Sequence, residues 1–326
     1  MYERHYNFTG SPFQLTPDAR FFYGSRGHSR AIAHLTFGLA QGEGFVVVTG
    51  DVGAGKTTLI ERLLSQLDHD TYAVARVNTT QVSGDDLFRL ALAGFGVAGT
   101  GESGAEISKS ALLLRFEEAL RDHRLAGRRC LLIVDEVQNL ALAALEELRM
   151  LSNLTENGRA SLQTILMGQP QFRRMLASPD LDQLRQRVLA STHLGPLLRE
   201  ETRAYIEHRL TTVGWRGNPH WEDAAFAVLH EHTGGVPRRI NRLCGRVLLY
   251  GALEAADTIT VTMVTDTAGE LAEDLEGTPA AGGSGREPGR DGPDLLRRIE
   301  ALEAQMARRE RVFQRLMEMF AAAGGP

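Results

Sequence analysis

The stretch FVVVTGDVGAGKTT, residues 45–58, decides the fold. Its first five residues, Phe45–Thr49, form an apolar run that is typical of a buried strand. The eight residues from Gly50 to Thr57 then match the pattern G-x-x-x-x-G-K-[ST]. Glycines in this pattern let the backbone curl so that its N–H groups point at phosphate oxygens, and the next helix adds its positive N-terminus. The stretch therefore predicts a phosphate-binding loop between a strand and a helix.

The two residues that close this pattern have separate expected roles. We expect Lys56 to reach the β- and γ-phosphates of ATP, and Thr57 to place its hydroxyl on Mg²⁺. Lysine is rare in this chain, which has only Lys56 and Lys109, and the remaining basic positions are arginine. A compact, flexible ammonium therefore stands where phosphates need one. The predicted ATP-binding set is Gly50, Asp51, Val52, Gly53, Ala54, Gly55, Lys56, Thr57 and Thr58.

A second apolar run ends in two carboxylates. Cys130–Val134 reads as a buried strand, and Asp135 and Glu136 follow it directly. We expect Asp135 to hold Mg²⁺, usually through water, and Glu136 to polarise the attacking water as a general base. This pairing favours hydrolysis over phosphoryl transfer to an acceptor.

The chain around these motifs alternates apolar strands with amphipathic helices up to residue 198. The predicted strands are Phe45–Thr49, Tyr72–Val77, Cys130–Val134, Leu162–Met167 and Ser191–Leu194. The predicted helices are Thr57–Leu67, Asp85–Leu92, Ser110–Arg124, Leu142–Leu154 and Gln171–Leu176. Such alternation predicts an α/β fold with a parallel sheet and helices on both faces.

The predicted organisation has four parts. Residues 1–198 form the nucleotide-binding core, and residues 199–276 an all-helical lid subdomain with helices near Thr202–Val213, Asp223–His232 and Pro237–Glu254. Residues 277–293 (GTPAAGGSGREPGRDGP) read as a flexible linker. Residues 294–320 carry an apolar stripe on alternating steps of four and three, which favours a coiled coil. A helix packed on its own body and an arginine-rich membrane-surface helix remain the alternatives for this last segment.

Composition excludes several classes of protein. The chain has 326 residues, 43% of them hydrophobic and 24% charged, as in ordinary globular proteins. Two distant cysteines, Cys130 and Cys244, exclude a disulfide scaffold and a Cys-x-x-Cys site. His230 and His232 are two apart on a helix and cannot chelate one ion. Since neither a membrane span nor a secretory signal is visible, we expect a soluble cytoplasmic protein that reaches a membrane only through a partner.

Further motifs carry a resemblance to a known family. They are DEVQNL at residues 135–140, MGQP at 167–170, LRQRV at 184–188 and GGVPRRIN at 234–241, together with PFQLTPD at 12–18 and the block around His28. The chain resembles AAA+ ATPases of the general secretion pathway protein A (ExeA) type over residues 1 to about 275. Within that type it looks most like the ATPases associated with exosortase (PEP-CTERM) and exopolysaccharide gene clusters.

This resemblance implies roles for individual residues. Gln169 matches a sensor of the γ-phosphate or its water, and Arg238 matches a second sensor at the start of a lid helix. Arg187 matches the finger that reaches a neighbouring subunit's nucleotide, with Arg185 as the rival position. The segment from Tyr2 to His28 would fold over the adenine, with Tyr23 and His28 beside the base. Each could instead have a purely structural role.

The resemblance also implies a function and partners. We expect a Mg²⁺-dependent ATPase that forms a homo-oligomer, has active sites at subunit interfaces, and powers or regulates an envelope protein or exopolysaccharide export system. The alternative is a transposition-type, DNA-binding regulatory ATPase, for which Arg121, Arg124, Arg128 and Arg129 form a local basic cluster. The net charge of −5 argues against nucleic acid. A switch that binds ATP without hydrolysing it is a third possibility.

Overall fold

The structure is a computed structural model that describes residues 2–78, 84–99, 107–156 and 158–276. The predicted linker at 277–293 and the predicted coiled-coil helix at 294–320 lie outside these residues. The chain divides into two compact units. Among the described residues, one unit comprises residues 13–212 and 233–242, and the other comprises residues 2–12, 213–232 and 243–276.

The first unit is built on a parallel sheet of five strands. In chain order the strands of this unit are β1 Phe45–Gly50, β2 Tyr72–Asn78, β3 Arg129–Asp135, β4 Thr155–Glu156, β5 Arg159–Ala160, β6 Leu162–Gly168 and β7 Val188–Leu194. The sheet has the order β2-β3-β6-β1-β7, and every pairing within it is parallel. Strands β4 and β5 form a separate antiparallel pair. The five predicted strands are therefore all present.

Helices connect these strands and cover the sheet. After a short α1 (Tyr2–His5) in the other unit, they are α2 Arg26–Gln41, α3 Lys56–Leu64, α4 Gly84–Gly94, α5 Lys109–Leu125, α6 Leu142–Leu151, α7 Pro170–Leu176, α8 Asp182–Arg185 and α9 Arg199–Thr212. Neighbouring parallel strands need such crossover connections, because the chain must return to the same edge of the sheet before the next strand begins. The sequence analysis did not predict α2, which precedes the first strand.

The sheet is buried on both faces, as its apolar strands require. All six residues of β1 are buried. The core cluster on one face of the sheet contains Phe88 and Phe116, and the cluster on the opposite face contains Leu35 and Leu59. Helix α2 lies so close to the sheet that a Cβ atom at Gly38 would be 2.1 Å from the side chain of Val46. The prediction of a parallel sheet covered by helices on both faces is confirmed.

The second unit corrects the prediction that residues 199–276 are all helical. Besides α10 Asp223–Thr233, α11 Pro237–Leu253 and α12 Val261–Glu276, residues 199–276 contain two strands, β8 His220–Trp221 and β9 Thr258–Ile259. These strands pair in parallel. Strands of two residues are too short to produce an alternating pattern, so sequence periodicity misses them.

The two units also differ from the predicted boundary at residue 199. Helix α9 and residues 233–242 belong to the unit that contains the sheet. Residues 2–12, predicted to fold over the nucleotide with the rest of the N-terminal segment, belong to the other unit. There Tyr6 and Phe8 are buried, and the Tyr6 hydroxyl donates to the Ala256 carbonyl over 3.1 Å. Their apolar rings account for this placement, because burying them removes apolar area from water.

Across the described residues, no helix has both the length and the apolar character that a membrane crossing needs.

Candidate active site

The loop between β1 and α3 has the backbone that its glycines predict. Gly53 and Gly55 have φ angles of +84° and +97°, in the left-handed region that favours glycine. Space is also restricted there. A Cβ atom at Gly53 would lie 2.4 Å from the Cβ of Arg238, and one at Gly55 would lie 2.7 Å from Nε2 of His28. The loop is therefore wrapped closely by two residues that lie far from it in sequence.

Lys56 is a buried cation at the start of α3. Only 7% of the residue is exposed, and its Nζ donates to the carbonyls of Gly50 and Asp51 over 2.7 and 3.2 Å. Burial lowers the pKa of Lys56, although the charges of Glu136, Asp135 and Asp51 act in the opposite direction. The ammonium is thus held at the base of the loop with carboxylates around it.

A cavity of about 340 Å³ opens over this loop, within the unit that contains the sheet. Residues of the predicted phosphate loop and the predicted base line it, namely Val52, Gly53, Gly55, Lys56, Thr57, Thr58 and Glu136. Arg238, Tyr23 and His28 also line it, as does the segment Gln14–Asp18. Gly50, Asp51 and Ala54 lie in the loop but do not line the cavity. The site thus combines the phosphate loop, the general-base candidate and part of the N-terminal segment.

Glu136 occupies a strained turn directly after β3. Its φ and ψ angles are +51° and +39°, which is uncommon for a residue with a side chain. Its Oε2 accepts hydrogen bonds from Nε2 of Gln138 over 2.5 Å and from Nε2 of Gln169 over 3.0 Å. Burial tends to raise the pKa of Glu136, but these two hydrogen bonds and the charge of Lys56 outweigh it and lower the pKa. Glu136 is therefore held as an oriented carboxylate.

Asp135 is the buried last residue of β3. Its Oδ1 accepts a hydrogen bond of 2.8 Å from the backbone N–H of Glu136. Burial raises the pKa of Asp135, while this hydrogen bond and the charges of Arg76 and Lys56 act to lower it. Asp135 does not line the cavity, but it lies next to Glu136, which does.

The two residues that wrap the loop are themselves anchored. Arg238 follows Pro237 at the start of α11, and its backbone N–H donates to the Gly53 carbonyl over 3.2 Å. The ring of His28 is buried, and its Nδ1 lies 2.8 Å from Oγ of Ser25. Burial lowers the pKa of His28, although the charge of Glu201 and a hydrogen bond with the Ala54 backbone oppose the shift. Both residues therefore pack against the phosphate loop, while the predicted roles of Arg238 as second sensor and of His28 as a neighbour of the base stay predictions.

Comparison with known proteins agrees with this geometry. The AAA domain family matches residues 39–176. General secretion pathway protein A of Aeromonas hydrophila is 37% identical over 253 residues, which cover 76% of this chain and 44% of that protein. The chain thus spans less than half the length of that relative.

Solved structures share the fold at low sequence identity. Cdc6p from Pyrobaculum aerophilum has a TM-score of 0.66 at 15% identity, covering 82% of this chain and 74% of that one. ORC2 from Aeropyrum pernix has a TM-score of 0.59 at 17% identity, covering 78% and 72%. The chain carries an AAA-type P-loop ATPase domain. The predicted parallel P-loop fold of the core and the prediction of an ATP hydrolase are confirmed, whereas the predicted C-terminal coiled-coil helix lies outside the described residues.

The two candidates for the arginine finger, Arg187 and Arg185, lie away from the cavity of their own chain. Arg187 precedes β7, and its Nη1 donates to the backbone carbonyl and Oγ of Ser152 over 3.0 and 3.1 Å. It therefore lies at the amino-terminal edge of the sheet, whereas the phosphate loop lies at the carboxyl-terminal edge. Arg185 is exposed and forms an ion pair of 2.6 Å with Asp182. Neither residue lines the cavity of its own chain.

Gln138 is a site residue of the AAA domain that the sequence analysis did not single out. Its side chain donates to Glu136 and also accepts a hydrogen bond of 2.9 Å from the backbone N–H of Gln169. One amide thus joins the predicted base to the predicted sensor. Gln138 was visible in the motif DEVQNL, but its part in this network depends on the pairing of β3 with β6, which no local pattern reveals.

Arg209 is the second residue that was missed. It is buried on α9, its guanidinium lies 4.5 Å from the centre of the Phe21 ring, and it lines the cavity. It donates to the Tyr205 hydroxyl over 2.9 Å and to the Gln14 carbonyl over 3.2 Å. A signal for it existed, because an arginine in the buried stripe of a helix is rare unless it has partners. It ties α9 to the N-terminal part of the cavity wall.

Proposed function

We propose that the AAA domain hydrolyses ATP in a Mg²⁺-dependent reaction at this cavity. The observation that carries the proposal is that Glu136 and Lys56 line the same cavity, a carboxylate and an ammonium suited to the roles that hydrolysis needs. Lys56 and the loop N–H groups would hold the phosphates. The N-terminal segment and Arg209 would enclose the remainder of the nucleotide.

The residues present suit a magnesium ion. Thr57 lines the cavity and Asp135 is the last residue of β3, so the donors on offer are a hydroxyl and a carboxylate oxygen. Among the described residues no group of three or more His, Cys, Asp or Glu side chains could enclose a metal. Mg²⁺ fits such a sparse set, because it is usually bound through one or two carboxylates with substrate phosphates and water. When bound, the ion would neutralise charge on the phosphate oxygens.

Glu136 would accept a proton from the attacking water. Its carboxylate is charged, since the amides of Gln138 and Gln169 and the charge of Lys56 lower its pKa. Both amides bind Oε2 and so hold the carboxylate in one orientation. Gln169 would then report the state of the γ-phosphate to the base. Arg238, which touches the loop through Gly53, would act as the second sensor.

We further propose a homo-oligomer in which Arg187 completes the site of a neighbouring subunit. The support is its position at the sheet edge opposite its own cavity, from which it cannot serve that cavity. Arg185, which is more exposed, is the competing candidate for this role. An arginine finger of this kind contributes about 10³–10⁵ in rate in related nucleotidases.

The biological role we propose is to power or regulate an envelope export system from the cytoplasmic side. It rests on the 37% identity to general secretion pathway protein A. Within that type, the resemblance noted from the sequence leads us to propose the exosortase-associated branch, with export of proteins or exopolysaccharide. The DNA-binding alternative has weaker support, since Arg124 of the basic cluster is paired with Glu156 over 2.8 Å and Arg121 lies 3.9 Å from the same carboxylate.

A comparison of Glu136→Gln with the unmodified chain tests the proposed chemistry. We expect the variant to bind ATP with unchanged affinity and to lose turnover by about 10²–10⁴-fold, because the general base is gone while the loop is intact. Phosphate release is measured for both proteins with Mg²⁺ and with EDTA in its place. These assays test the requirement for the general base and the requirement for the metal ion. Hydrolysis by Glu136→Gln at the unmodified rate would contradict the assignment. Binding without turnover in the unmodified chain would favour the non-hydrolysing switch.

A further inference from the structure

A second cavity, of about 820 Å³, lies at the edge of the sheet away from the phosphate loop. Tyr72 and Arg129, the first residues of β2 and β3, line it together with Gln163 at the start of β6. The β4–β5 hairpin forms another wall. The nucleotide cavity lies beyond the carboxyl-terminal ends of β1 and β3, so the two cavities occupy opposite edges of one sheet.

Four arginines line this second cavity, namely Arg124, Arg128, Arg129 and Arg159. Only two carboxylates, those of Glu43 and Glu156, line it with them. This surplus of positive charge is local to the cavity, because the whole chain has a net charge of −5. A concave wall lined by charges of one sign concentrates the electric field in the depression and attracts ions of the opposite charge. The cavity is therefore suited to an anion.

Two of these arginines are held in place by the protein. Arg124 donates to Oε2 of Glu156 over 2.8 Å and to Oγ of Ser161 over 2.6 Å. The guanidinium of Arg129 lies 5.8 Å from the centre of the Tyr72 ring and donates to the Tyr72 hydroxyl over 3.3 Å. A guanidinium fixed in this way loses little conformational entropy when it binds a ligand. The wall is thus pre-organised.

The other two arginines add positive charge that no carboxylate of the described residues neutralises. In the parts of the chain that the structure describes, neither Arg128 nor Arg159 forms an ion pair with a carboxylate. Guanidinium groups match the oxygens of phosphate in a bidentate fork, and such charge-assisted hydrogen bonds are stronger than neutral ones. Arg128 and Arg159 therefore have donors to offer a ligand, while Arg124 and Arg129 form the supporting wall.

We propose that this cavity is a second binding site, for a small phosphorylated molecule of roughly nucleotide size. Its volume falls within the range of about 300–1,000 Å³ that is typical of small-molecule sites. The Tyr72 ring offers an aromatic surface beside the arginines. Double-stranded nucleic acid fits less well, because proteins read a duplex with elements that protrude into its grooves. Here the arginines line a depression.

Isothermal titration calorimetry with inorganic pyrophosphate tests this site. The titration uses the full chain with its phosphate loop first saturated with ADP, so that the probe reports on the second cavity. We expect one pyrophosphate bound per chain. The double substitution Arg128→Glu/Arg159→Glu should weaken pyrophosphate binding by about tenfold or more, because two charge-assisted contacts become repulsive. ATP turnover should be unchanged, since neither arginine lines the nucleotide cavity.

A matched control changes the charge equally at exposed arginines outside both cavities, Arg30→Glu with Arg216→Glu. This control should bind pyrophosphate as the unmodified chain does. If Arg128→Glu/Arg159→Glu unfolds by circular dichroism, the milder Arg128→Gln/Arg159→Gln pair should still show weaker binding. Equal pyrophosphate affinity in the arginine variants and the control would overturn the proposal. So would binding of a hexaglutamate peptide or a DNA duplex, but not of pyrophosphate, at the same arginines.

Discussion

The side chain of Gln169 donates a hydrogen bond of 3.0 Å to the carboxylate of Glu136, joining the ends of two neighbouring strands. Glu136 follows β3 and Gln169 follows β6, and these strands pair in parallel. Gln138 strengthens the link, since it binds the carboxylate and the Gln169 backbone at once. Two amide side chains thus orient the proposed base: that of Gln138, just after β3, and that of Gln169, just after β6.

Removing one of these amides should alter the acid side of the pH–rate profile. Gln138→Ala takes away a hydrogen bond to the charged form of Glu136, so the pKa of Glu136 should rise and the acid limb should move to higher pH. We expect kcat to fall by about 10–100-fold, because a hydrogen bond to a charged group contributes about 1.5–3 kcal/mol. KM should change little. Steady-state phosphate release from pH 5 to 9 measures both effects.

The matched control for this experiment is Gln183→Ala, because Gln183 is exposed and lies outside the network. It should leave the profile unchanged. A Gln138→Ala enzyme with a lower kcat but an unmoved acid limb would show that Gln138 stabilises the fold without positioning the base.

Arg209 should couple nucleotide binding to the stability of the sheet-containing unit. Arg209→Ala removes a buried side chain that packs on Phe21 and donates to Tyr205 and Gln14, so we expect a loss of about 2–4 kcal/mol in the free energy of unfolding. The stabilisation that ADP provides should also shrink. Thermal unfolding with and without ADP measures both quantities.

Arg203→Ala provides the control on the same helix. Its side chain is 49% exposed and pairs with Glu207, and such surface pairs contribute about 0–1 kcal/mol. If Arg209→Ala and Arg203→Ala unfolded at the same temperature and responded equally to ADP, the role assigned to Arg209 would be wrong.

Stability should decline as the pH falls below about 6.5, in part through His28. Burial lowers the pKa of His28 from its ordinary value of 6.5, so the folded chain keeps the ring neutral where the unfolded chain protonates it. The unfolded state then binds more protons, and this contribution is complete above pH 6.5 and is lost as the pH falls toward the lower folded-state pKa. Burial lowers the pKa of His208 in the same direction.

Urea unfolding at pH 7.5, 6.5 and 5.5 tests this linkage. His28→Gln should reduce the loss of stability between pH 7.5 and 5.5, whatever its effect at pH 7.5. His69→Gln, at an exposed position, should retain the full pH dependence. An equal pH dependence in both variants would contradict the assignment of His28.

The parts of the fold that sequence predicted well are local in the chain. The run Phe45–Thr49 and the glycine loop are contiguous, and so are Cys130–Val134 and Asp135–Glu136, so each strand and its functional residues could be read together. Helix α2 was missed because Gly27 and Gly38 weaken its helical pattern. Yet Gly38 allows the close approach to Val46, and its carbonyl accepts a hydrogen bond from the Gln163 side chain over 2.5 Å.

What sequence could not provide depends on contacts between distant segments. Gln138 acts through the pairing of β3 and β6, and Arg209 acts through Phe21, which lies 188 positions earlier in the numbering. The placement of residues 2–12 outside the sheet-containing unit likewise follows from the burial of Tyr6 and Phe8. Apolar residues in a short N-terminal segment predict burial but not the surface that covers them.

In the proposed oligomer, Glu136 of one subunit and Arg187 of its neighbour complete one active site. Glu136→Gln and Arg187→Ala should each be inactive alone while still binding ATP. Arg187→Ala also loses its hydrogen bonds to Ser152, so its folding is checked by circular dichroism. Arg185→Ala, the rival position, serves as the matched comparison.

Mixing the two inactive variants in equal amounts is the most direct measurement. A mixed oligomer contains interfaces where an intact Glu136 meets an intact Arg187. Random assembly should restore about a quarter of the unmodified ATPase rate, since half of the subunits supply the glutamate and half of their neighbours the arginine. No recovery on mixing, in an oligomer shown by light scattering to exchange subunits, would contradict a shared site at the interface.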